Sequence, residues 1–136
     1  MRRYKFLTKD DVYQAWNKIR AAFLAAKNGN EVENIIKGIL TSDERIKIGR
    51  RIIISQLLDE GITYEEISKN YKIGKQTIIQ VQKLKEKYPR CFELINEREE
   101  KVEQTFGKKG YEMVGSPKRF QKFPYYTGFK RKDVQR

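Results

Sequence analysis

Apolar residues recur at spacings of three and four through most of the first hundred positions, and then the pattern stops. Val12, Trp16, Ile19 and Phe23 fall at i, i+4, i+7 and i+11, which predicts one helix with a single apolar stripe. Thr8 is placed to cap it, with Asp10 and Asp11 in the first turn where they favour the helix dipole. Asn28-Gly29-Asn30 stops it, and Asn30 is expected to cap a second helix faced by Val32, Ile35, Ile36, Ile39 and Leu40. Thr41-Ser42-Asp43-Glu44 reads as a capping box that opens a third. Ile46, Ile53, Ile54, Leu57 and Leu58 suit its inner side, and Gly61 suits the position just past its end.

Thr63-Tyr64-Glu65-Glu66 is a second capping box and starts a short fourth helix anchored by Ile67 and Tyr71. Lys72-Ile73-Gly74 makes a turn. A fifth helix runs from about Lys75 to Lys87, with Ile78, Val81 and Leu84 inward. The residue before Pro89 disfavours helix, so a break is expected near Tyr88. A sixth helix follows from about Pro89 to Phe106, with Phe92, Ile95, Val102 and Phe106 on one side.

Helices four and five have the layout of a helix-turn-helix, at about residues 63–87. Such a unit buries one face of its second helix and offers hydrogen-bonding side chains on the other. Gln76, Ile79, Gln80 and Lys83 share one edge, and Lys75 lies beside them. Gln bonds adenine through two atoms, Lys reaches guanine or phosphate, and Ile touches a thymine methyl. These five are the candidate base contacts. Thr63, Tyr64, Lys69 and Lys72 are the candidate contacts to the DNA backbone, two of them near helix amides suited to a phosphate. The plainer reading of the same pattern is a small helical bundle with a solvated polar face.

Beyond Gly107 no helical period survives. Basic and aromatic residues mingle through Lys118, Arg119, Phe120, Lys122, Phe123, Tyr125, Tyr126, Phe129, Lys130, Arg131 and Lys132. Residues 107–136 read as a flexible arm after a helical domain of residues 1–106. Such an arm suits a DNA groove, single-stranded bases or RNA, and its plainer role is a solubilising tail.

Charge supports the nucleic-acid reading. The net charge is +12, from 30 basic and 18 acidic residues, which raises affinity for phosphate polymers. It is unevenly spread: +4 over residues 1–40, +1 over 41–106 and +7 over 107–136. With 38% hydrophobic residues a large core is not expected, so dimerisation would help burial.

Histidine is absent and Cys91 is the one cysteine, which excludes disulfide frameworks, zinc fingers and Ser-His or Cys-His catalysis. Cys91 reads as a modest core residue. The adjacent pairs Glu65-Glu66 and Glu99-Glu100 point to different helix faces, so caps and solvation explain them. Gly74-Lys75-Gln76-Thr77 resembles a phosphate loop, but Lys69 stands where that motif needs its first glycine. No enzyme, cofactor or metal is expected. No apolar run approaches the roughly 20 residues that span a bilayer, and the N-terminus has no signal-peptide core. A cytoplasmic protein with no membrane partner is expected.

Several segments, in order, carry a resemblance: Leu40-Thr41-Ser42-Asp43-Glu44-Arg45, Arg51, Leu57 through Ile67, and Thr77-Ile78 followed by Val81. They resemble the Trp repressor-like family of helix-turn-helix proteins over about residues 40–84, nearer to its small members than to the repressor itself. The resemblance implies an all-α fold of about six helices, an intertwined homodimer and operator DNA. In the repressor, tryptophan is held by a threonine and an arginine that match Thr41 and Arg51, and by a second arginine whose position is Gln80 here. A glycine and a serine nearby fall at Val81 and Leu84, and the spacing between Arg51 and Leu57 is one residue shorter. Tryptophan is therefore not expected as corepressor, and Thr41 and Arg51 read as a cap and a solvent-facing residue. Lys75 and Gln76 stand where the family often has small residues, so the operator does not carry over. The expected function is transcriptional regulation by sequence-specific DNA binding. The alternatives are an RNA- or single-strand-binding protein using the arm, and a protein-binding helical adaptor.

Overall fold

A computed structural model describes residues 2–111. After a short 3-10 turn at Arg2–Tyr4 come six α-helices: α1 Lys9–Ala25, α2 Gly29–Ile39, α3 Ser42–Asp59, α4 Tyr64–Tyr71, α5 Lys75–Lys87 and α6 Pro89–Phe106. The all-α class expected from periodicity is the one observed, with no strand among the described residues. The described residues divide into two compact units that meet between Arg45 and Ile46.

In the first unit, short-range caps set the helix starts. The Thr8 N–H donates to Asp11 Oδ2 at 3.0 Å, and the Asp11 N–H donates to Thr8 Oγ1 at 3.1 Å. The backbone bond, helped by the Thr8 side chain, holds the Asp11 carboxyl below its usual value. Helix α2 begins two residues earlier than expected, because Asn28 and not Asn30 caps it. Asn28 Oδ1 accepts from the Glu31 N–H at 3.0 Å, and the Glu31 carboxylate accepts in turn from Asn28 Nδ2 at 3.2 Å. Thr41 and Glu44 form the expected reciprocal box at 2.7 and 3.1 Å. The apolar stripe of α1 is present but uncovered: neither α1 nor α2 has a buried residue, and Trp16 is 57% exposed. Tyr13 packs on Trp16 with ring centroids 5.7 Å apart.

The second unit has a core. Ile54 and Leu57 of α3, Ile67 and Tyr71 of α4, Ile73 of the turn, and Ile78 and Val81 of α5 are buried together. Each aliphatic side chain there contributes on the order of 1.5–3 kcal/mol by leaving water. The expected anchors of α4 and α5 hold, and Leu84 is half-buried. Ile46, expected inward, is 58% exposed, about two turns before the buried part of α3 that begins at Ile54. Helix α3 ends in a Schellman motif. The Ile62 N–H donates to the Leu57 carbonyl at 3.2 Å and the Gly61 N–H to that of Leu58 at 3.0 Å, with Gly61 at φ +81°.

Pro89 separates α5 from α6 as expected. Tyr88 takes φ −128°, ψ 61°, and proline fits the first helical position of α6. Only the first part of α6 is covered. Phe92 and Ile95 are half-buried, whereas Val102, Phe106 and Cys91 are exposed, contrary to expectation. Polar bonds also fasten α6. Gln56, 5% exposed, donates through Nε2 to Asn96 Oδ1 at 3.2 Å and to Glu99 Oε2 at 2.7 Å. Asn96 Nδ2 donates to Asp59 Oδ2 at 3.0 Å. Lys85 of α5 joins them, donating to the Ser55 carbonyl at 3.3 Å and to the Asp59 carboxylate.

Candidate nucleic-acid interface

Helix α4 is one short amphipathic segment. The Thr63 hydroxyl accepts from the Glu66 N–H at 3.2 Å, so the threonine half of the expected second capping box is made. Helix α4 ends at Lys72, the one described non-glycine residue with positive φ (54°, ψ 51°). The left-handed turn lets Ser68's carbonyl accept from both the Lys72 and Ile73 N–H groups. It also delivers Ile73 into the core, a burial the sequence pattern did not signal. Gly74 then starts α5 with no side-chain cap.

Burial of Ile78 and Val81 fixes the roll of α5. Lys75, Gln76, Gln80 and Lys83 are thereby exposed, while Ile79 is half-buried and offers a smaller surface than the other candidates. Thr63, Tyr64, Lys69 and Lys72 are exposed as well. Lys75 is not alone: its Nζ lies 4.0 Å from Glu65 Oε1 in the first turn of α4. The arm candidates Lys118, Arg119, Phe120, Lys122, Phe123, Tyr125, Tyr126, Phe129, Lys130, Arg131 and Lys132 lie outside the described residues.

Three further residues belong to this surface. Arg50 of α3 donates through Nη2 to the carbonyls of Tyr71 at 2.9 Å and Lys72 at 3.3 Å, where α4 ends. Cations suit carbonyls at a helix C-terminus. Beside it opens a cleft of about 350 Å³, lined by Lys47, Arg50, Arg51, Lys72, Thr77 and Gln80 among others. Four of its lining residues are cations and none is acidic. Arg51 is exposed as expected, yet it shares this cleft with Gln80. Lys47, Arg50 and Arg51 stand at i, i+3 and i+4, a helical cationic cluster legible in the sequence but not singled out from it.

A core-anchored short helix, a tight turn and an exposed polar edge on α5 form a helix-turn-helix. The family model described as Trp repressor protein matches residues 14–100, from α1 into α6. The chain belongs to the Trp repressor family. No curated protein and no solved structure matches the chain. The Trp repressor family is one of helix-turn-helix DNA-binding regulators and not of enzymes. Among the described residues no helix is long and apolar enough to cross a membrane, and no group of three or more His, Cys, Asp or Glu could hold a metal ion.

Proposed function

We propose that the chain is a sequence-specific transcriptional regulator that binds duplex DNA as a homodimer and acts in the cytoplasm. The observation that carries this reading is the exposure of Gln76, Gln80 and Lys83 along one edge of α5 while Ile78 and Val81 hold its other side in the core. In this reading α5 enters the major groove. Gln76 and Gln80 bond base edges, Lys75 and Lys83 reach guanine or phosphate, and Ile79 brushes a thymine methyl. Thr63, Tyr64, Lys69 and Lys72 hold the phosphate backbone, joined by Arg51 and Thr77 from the cationic cleft.

The uncovered stripe of Trp16, Ile19 and Phe23 supports self-association, since exposed apolar faces of this kind are covered by partners. A twofold dimer would contact half-sites about one helical turn, roughly 34 Å, apart. Tryptophan is not part of the proposal, because Gln80 supplies an amide where the repressor has a cation. The arm's net charge of +7 favours a second, less specific contact with DNA or RNA.

The test is selection of bound fragments from a genomic pool with the full chain and with a Gln76→Ala/Gln80→Ala variant. A short palindromic site that the variant loses is the expected result. Equal, sequence-blind and salt-sensitive retention by both proteins would overturn reading by α5. Loss of that retention on deleting residues 107–136 would then assign binding to the arm.

A further inference from the structure

Lys75 occupies an awkward place. It is the first residue of α5, where the helix dipole is positive and no side chain caps the amides. A cation there is disfavoured unless an anion stands nearby. Glu65 is that anion: its Oε1 lies 4.0 Å from Lys75 Nζ, across the turn from the first turn of α4. The carboxylate side chain is 84% exposed and the ammonium side chain 59%, so the pair sits on the outer surface of the helix-turn-helix. Lys69, Lys72 and Lys83 on that unit are exposed too. Glu65 thus places one negative charge on the surface that must meet phosphates.

We propose that Glu65 is a specificity-determining residue that occupies Lys75 in place of a phosphate and so weakens binding to non-cognate duplex. This rests on the DNA-binding reading above. An exposed pair at this distance is weak enough to open when a well-fitted duplex offers Lys75 a base or phosphate. A poorly fitted duplex offers less, and there the carboxylate keeps Lys75. Glu65 acts through Lys75 and needs no contact with a base.

The experiment measures binding of the full chain to a random-sequence duplex across a salt series, for wild type, Glu65→Gln, Lys75→Ala and the double variant. Freeing Lys75 adds about one phosphate contact, which steepens the log–log salt slope by about 0.9. Glu65→Gln is therefore expected to tighten low-salt binding, and to lose an extra factor of about three between about 50 and about 200 mM salt. In the Lys75→Ala background the same change is expected to do nothing. Unchanged binding in Glu65→Gln would overturn the proposal, as would a gain that persists without Lys75. If the wild type itself shows no salt-dependent binding, the DNA-binding reading fails first. Glu65 is exposed and outside the core, so its replacement leaves the fold in place to be tested.

Discussion

Lys72 sits at φ 54°, where the side chain crowds its own backbone and only glycine rests without cost. Lys72→Gly is expected to raise unfolding free energy by about 1 kcal/mol, read from urea titration. It is also expected to weaken duplex binding and lower the salt slope by about 0.9, if Lys72 holds a phosphate. A variant both more stable and equally tight on DNA would leave the lysine without a binding role. The strain is not marked in the sequence, where Lys72-Ile73-Gly74 makes a turn and holds a glycine two residues on. Gly74 takes φ −64° instead and serves as the cap of α5. Gln56 was hidden for another reason. Its partners Asn96 and Glu99 lie 40 and 43 residues away, beyond the reach of any local pattern.

At the scale of elements, Arg50 connects α3 to the end of α4. Arg50→Met keeps the aliphatic stem and removes the bonds to the Tyr71 and Lys72 carbonyls. The expected cost is about 1 kcal/mol, with faster amide hydrogen exchange around the turn than in α3. Uniform exchange throughout the second unit would instead mean that Arg50 acts on global stability alone. Helix limits were largely legible, because their causes span three or four residues: Thr8 with Asp11, Thr41 with Glu44, and Tyr88 before Pro89. Burial was legible less evenly. Periodicity tells which residues share a face, and says nothing about whether another element lies over it. So Ile67, Tyr71, Ile78 and Val81 are buried as expected, while Ile46, Val102 and Phe106 sit on apolar faces left uncovered. The exposed polar edge of α5 could be drawn from spacing. The Glu65–Lys75 pair could not, since it forms across the turn.

For the whole molecule, the uncovered faces set the main expectation. The first unit has no buried residue in α1 or α2, and in the proposed homodimer association would remove Trp16, Ile19 and Phe23 from water. Sedimentation equilibrium is expected to give a dimer, and Trp16→Glu/Phe23→Glu a monomer with lower and less cooperative helicity. A wild-type chain that stays monomeric at high concentration would contradict this. The polar network around Gln56 has a different consequence, for laboratory evolution of new DNA addresses. Lys85 is held to Ser55 and Asp59, and Asp59 to Asn96, so α5 is clamped near its C-terminal end independently of the polar side chains on its exposed edge. A library that varies Gln76, Gln80 and Lys83 but spares Lys85 keeps that clamp, and under the proposed function its members would differ in address while sharing one chassis.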